Sequence, residues 1–167
     1  MTYPSKSVRK RFDPTMYRIA DKMAKDCMIK YLTSIGHDVL KLKENYGVDL
    51  QSTKWDGHIL HEFYHEVEMK FMWEGDWPKK WKDIHIPFRK NRLITKVYNT
   101  DEHANFFFYI IRGDCEKAWM MDGQIVKSSP VVEVPNRAIR KGEYFFKVPV
   151  DKAELLDLGG QDGSKTD

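Results

Sequence analysis

Apolar positions along the chain change their period several times, and each change predicts an element. Met16, Ile19, Ala20, Met23, Cys27 and Tyr31 recur at helical spacing. Asp13 followed by Pro14 supplies an N-cap and a first turn, and Gly36 supplies a stop. Residues 38–43 then set Val39 and Lys41 against Leu40 and Leu42, which predicts a strand. Residues 44–47 read as a turn, and Val48, Asp49 and Leu50 open a second strand. After the Asp56-Gly57 turn signal a long strand is expected over about 58–72. Pro78 and Pro87 break up the next stretch. Residues 105–111 are aromatic and branched, as a buried strand is. Shorter strands follow at 118–121, Val131–Val134 and 144–148, and residues 151–158 read as a last helical turn or two. The sum is an α/β domain with a mixed central β-sheet flanked by helices.

The segment 61–65, His-Glu-Phe-Tyr-His, reads in two ways. On a helix it is the zinc-protease motif HExxH, with His61 and His65 facing one ion and Glu62 as general base. On a strand, Phe63, Val67, Met69 and Phe71 alternate with Glu62, Glu66, Glu68 and Lys70. The alternation runs longer than the motif, and no third zinc ligand follows in a recognisable pattern. The strand is therefore the preferred reading. It puts Glu66, Glu68 and Lys70 on one face and His61 and His65 on the other. Upstream, Asp49 stands at the end of the preceding strand.

Composition narrows the class. The chain has 167 residues, 41% hydrophobic and 32% charged. That excludes a wholly disordered chain, a collagen-like chain and a disulfide scaffold. Its longest apolar run, 106–111, is far short of the roughly 20 residues of a membrane span. The N-terminus has no apolar signal core. Cys27 and Cys115 form no metal-ligand pattern, so the cytoplasm or another reducing compartment is expected. One domain is expected over 13–158, with a basic arm at 1–12 and a disordered tail at 159–167.

A net charge of +3 permits a nucleic-acid partner, and its distribution says more. Lys6, Arg9, Lys10 and Arg11 crowd the arm. Lys79, Lys80, Lys82, Arg89, Lys90, Arg92 and Lys96 crowd a second stretch that also holds Trp77, Trp81 and Phe88. Cations interleaved with aromatics suit phosphates and bases. Arg89, Lys90 and Arg92 are candidate backbone contacts, and His85 is a further candidate near the phosphate.

Asp49 followed by Glu68-x-Lys70 resembles the PD-(D/E)xK nuclease superfamily, which has the restriction-endonuclease-like fold. The resemblance spans roughly 13–111 and is one of order. The family runs helix, strand, strand with Asp, strand with Glu-x-Lys, helix, strand. Val48 stands where proline is frequent. Residues 84–90 are similar to a segment of some phage-type members, and in size the chain resembles small phage-type endonucleases or junction resolvases. The resemblance implies a metal-dependent DNA endonuclease with Asp49, Glu68 and Lys70 as catalytic residues. Asp49, Glu68 and the Met69 carbonyl would hold Mg²⁺ or Mn²⁺, hard ions that prefer oxygen. Asp21 on the first helix would reach the metal through water, with Asp26 the lesser candidate. Glu66 is either a further metal ligand or an exposed edge residue, the second being preferred. No base-reading element is visible, so structure-selective cutting is expected, with a homodimer supplying two sites. The alternatives are a non-catalytic nucleic-acid-binding relative and the zinc peptidase.

Overall fold

The computed structural model describes residues 14–40, 47–135 and 142–159. The basic arm, the capping by Asp13, the continuation of the first strand past Leu40 and nearly all of the tail lie outside them. In chain order the elements are α1 (Pro14–Ser34), β1 (Asp38–Leu40), β2 (Leu50–Trp55), β3 (Leu60–Lys70), β4 (Asp83–Pro87), α2 (Asn91–Thr100), β5 (Asn105–Arg112), β6 (Lys117–Asp122), α3 (Gly123–Ser128), β7 (Val131–Val134), β8 (Glu143–Pro149) and β9 (Glu154–Asp157). Short 3-10 turns precede α2 and β9.

Six strands form a mixed sheet in the order β1-β2-β3-β5-β6-β9, and β4-β8-β7 form a second sheet. Among the described residues only β3 and β5 pair in parallel, with Glu66 beside Phe108 and Glu68 beside Ile110. A parallel pair needs a crossover, and here β4 and α2 lie within it.

Alternation on β3 and β5 divides the core into two layers. Val67, Tyr109 and Ile111 face α1, where they meet Ala24, Cys27, Met28 and Leu32. Phe106, Phe108 and Ile110 face the other way, onto Ile84 and Ile86 of β4, Ile94 and Tyr98 of α2, and Phe146 and Val148 of β8. Each fully buried side chain of this kind contributes about 1.5–3 kcal/mol. The helix ends where Gly36 takes φ 95°, a conformation that suits glycine, and the His37 N–H donates to the Leu32 carbonyl at 2.9 Å.

Three local expectations are corrected. The buried face of α1 is Ala24, Cys27, Met28 and Leu32, while Met16, Ile19 and Met23 are exposed. Asp49 precedes β2, because pairing with β3 starts at Leu50 opposite His65. The expected final helical turn is only Val150–Lys152, and β9 follows it, pairing with β6. The long strand over Leu60–Lys70 forms as expected, so the helix that the zinc-protease motif requires is absent there. No helix among the described residues is long and apolar enough to cross a membrane. Cys27 and Cys115 form no disulfide, and the Cys27 thiol donates to the Cys115 carbonyl at 3.8 Å.

Candidate active site

The site begins where two strands part. Beyond His65, β3 continues for five residues without a β2 partner. Asp49 bridges the split: its carboxylate accepts the Val67 N–H at 3.0 Å, while its own N–H donates to Glu66 Oε2 at 2.7 Å. Glu66, Glu68 and Lys70 leave β3 on the side of Phe108 and Ile110, as the period of two requires.

A cavity of about 150 Å³ opens at this split. Its walls include Asp49 just before β2, Glu66, Glu68 and Met69 from β3, Asp21 from α1, and Arg89 and Lys90 from the turn after β4. Of the residues singled out in the sequence, these seven are therefore brought together. Asp21 lines the cavity while bonded to Lys25 at 2.8 Å, whereas Asp26 is exposed and paired with Lys22. Arg92 is exposed on α2 and does not line the cavity. His85 lies beside the site and stacks on Phe145 at 5.6 Å between ring centroids.

Glu66 is the largest departure from expectation. It is no exposed edge residue, being only 3% accessible. A carboxylate that deep needs partners. Lys90 Nζ donates to its Oε1 at 2.7 Å, and the Asp49 N–H donates to its Oε2. Burial raises the Glu66 carboxyl and the Asp49 charge adds to the rise, while Lys90 opposes both. Lys90 is in turn no free surface cation, since its ammonium is committed inward.

Glu68 lines the cavity and reaches solvent, yet protein crowds it closely enough to raise its carboxyl. Lys70, Lys90 and Arg89 pull it down, and Asp49 pushes it up. The Lys70 ammonium lies 5.4 Å from the centroid of the Trp81 ring. Among the described residues, no three His, Cys, Asp or Glu side chains form a group that would cage a metal ion.

The histidines of the HExxH segment have other employment. His61 Nε2 is 2.6 Å from Asp56 Oδ2 at the β2–β3 turn. His65 is buried in a polar chain on the α1 side of the sheet. Its Nε2 is 2.8 Å from Ser52 Oγ, which is 2.8 Å from His37 Nδ1, and its Nδ1 is 3.1 Å from Tyr109 Oη. Burial holds His65 neutral, down to about 3, with His37 adding to the effect. Sequence reasoning missed this chain. The available signal was polar His65 and Ser52 at positions facing an apolar helix.

No protein-family model matches the chain, and a search of curated proteins finds no relative.

Proposed function

We propose that this chain is a divalent-metal-dependent nuclease of the PD-(D/E)xK kind, with a restriction-endonuclease-like core, that hydrolyses phosphodiester bonds in DNA. The observation that carries the reading is the cavity at the β2–β3 split, where Asp49, Glu66 and Glu68 meet Arg89 and Lys90. The order α1, β1, β2, β3, α2, β5, with β4 interposed, agrees with the order that the resemblance implies.

The donor set suits the metal. Asp49, Glu68 and the Met69 carbonyl are hard oxygens, and Mg²⁺ keeps several waters while taking only one or two protein carboxylates. Glu66 adjoins them, and Asp21 lines the same cavity from α1. When bound, the ion supplies polarisation of the phosphoryl oxygen and a more acidic water. The chain's own groups do the rest. Lys70 balances the charge that builds on the phosphate, and Arg89 orients the backbone. Lys90 holds Glu66 in place and thereby positions Asp49. A homodimer would bring the two sites that a double-strand cut needs.

Labelled linear, flapped and four-way DNA, each with and without Mg²⁺, tests the reading. Expected is Mg²⁺-dependent cleavage of at least one form, lost in Asp49→Asn and in Glu68→Gln. No cleavage of any form, or cleavage indifferent to both substitutions, removes it. The Lys90–Glu66 ion pair favours a second reading, a non-catalytic nucleic-acid-binding relative, because one acid is already neutralised without a metal. That relative would bind and never cut.

A further inference from the structure

Next to the acidic cavity lies a larger one of about 350 Å³, within the ~300–1,000 Å³ of small-ligand sites. The two share Glu68 and Ile110. Trp77 and Trp81 line the second cavity, along with Lys70, Lys82 and His85. The two indoles are held in place: they meet edge to face at 5.0 Å and 78°, and Trp77 Nε1 donates to the Trp81 carbonyl at 2.7 Å. Trp77 is braced in turn by Trp73 and Trp119. Lys70 Nζ, 5.4 Å from the Trp81 centroid, is within cation–π range. Trp81 therefore turns a π-face toward the lysine that the nuclease reading places at the reacting phosphate.

We propose that this cavity takes an unpaired nucleobase, stacked on Trp81, from the nucleotide adjoining the phosphate held at Glu68 and Lys70. The inference rests on the nuclease reading and names its substrate class: nucleic acid with an unpaired nucleotide at the cut. Three features select a base. Every base offers a flat π-face, and stacking on an aromatic side chain is tolerant of sequence. Glu68 and Asp83 also line the cavity. Both carboxylates can accept hydrogen bonds from the exocyclic amines of bases, donors that a phosphate or other simple anion does not offer. Lys80 and Lys82 flank the opening with charge for the backbone on either side. A base inside a duplex is stacked and paired, and cannot reach a recess of this kind without being extruded. The ring has a second role. A base on Trp81 displaces the Lys70 ammonium toward Glu68, so an unpaired substrate would itself set the lysine at the reacting centre.

The test is fluorescence anisotropy in EDTA, where nothing is cut. Three labelled DNAs are compared: a duplex with one unpaired nucleotide, the same duplex with an abasic residue there, and the intact duplex. Trp81→Ala should weaken binding to the first by about tenfold or more, the usual scale for one stacked base. Trp81→Phe, which keeps a ring, should stay close to wild type. The abasic residue should cost the wild type the same factor and cost Trp81→Ala nothing. Intact duplex should bind all three proteins alike. Should Trp81→Ala prove unfolded by circular dichroism, the abasic comparison on wild type and Trp81→Phe decides alone. Equal affinity of the wild type for the abasic and base-bearing DNAs overturns the inference. A parallel arm with Mg²⁺ keeps the two ideas apart. Base-dependent binding without cleavage overturns the nuclease and keeps the recess, whereas cleavage without base dependence does the reverse.

Discussion

Glu66 shows how much one buried carboxylate constrains. In the fold its carboxyl is pushed up to about 7 from 4.5, first by burial and then by Asp49. A raised group favours the protonated form. Its contribution to stability is full below about 4.5 and is lost as pH rises through about 7. Glu66→Gln, which mimics the protonated form, should therefore unfold like wild type near pH 4.5 and outlast it at pH 8. The gain at pH 8 should be on the order of 1 kcal/mol, about 2–4 °C in Tm for a chain of this size. Thermal melts across that range check the sign; a gain confined to acid refutes it. His65 has the opposite sense. Held neutral at about 3, it contributes stability above 6.5 that drains away as pH falls toward 3. His65→Ala should cost about 2–4 kcal/mol, from the cavity and the stranded Ser52 and Tyr109 hydroxyls. His61→Ala, on the surface beside Asp56, should barely move Tm. Neither should abolish Mg²⁺-dependent cleavage by the folded protein.

At the scale of elements, Asp49 works as a clasp as well as a candidate ligand. Its side chain covers the Val67 N–H that β2 leaves unpaired. Asp49→Ala should thus destabilise by about 1–2 kcal/mol, because a partly buried donor loses its acceptor. Asp49→Asn keeps an acceptor and should unfold close to wild type while losing cleavage. Equal urea midpoints for the two variants would deny the clasp. The acid, the Glu-x-Lys pair and strand β3 were legible because period two survives in the sequence from Glu62 to Lys70. The burial of Glu66 was not, since a glutamate at a polar position looks exposed until Lys90, far along the chain, is folded onto it. A helix between β3 and β5 is implied by the resemblance alone; Leu93, Ile94, Val97 and Tyr98 carry its period, but Pro87 just before it obscures where α2 begins. β4 hid between prolines for the same reason, although Ile84 and Ile86 alternate against Asp83 and His85. On α1, Met16, Ile19 and Met23 carry the helical period yet are exposed, and the buried face runs instead through Ala24, Cys27, Met28 and Leu32. β9 looked helical since four residues are too few to show a period, and only pairing with β6 makes them a strand.

At the scale of the whole molecule, the split is where acids and cations meet, Asp49, Glu66 and Glu68 sharing one cavity with Arg89 and Lys90. Nucleic acid would meet Arg89 at the cavity and Arg92 on the exposed side of α2, but Lys90 is engaged with Glu66. Neutralising Arg89 and Arg92 together should weaken binding to all duplex sequences alike and reduce the salt slope by up to about two. Titrations at several salt concentrations measure that slope, and an unchanged value would route the backbone elsewhere. The split has one more consequence, which concerns solubility. A strand whose hydrogen-bonding edge is unpaired invites a foreign strand to add itself, and the half of β3 past His65 has such an edge among the described residues. Glu68 and Lys70 flank that stretch and reach solvent, whereas Glu66 is already buried, so an incoming strand would have to desolvate two charges to zip on. The same two side chains read as chemistry would then also act as wardens against self-association. A Glu68→Gln, Lys70→Gln double variant should clump on mild heating well before it unfolds, with light scattering rising ahead of the loss of circular dichroism.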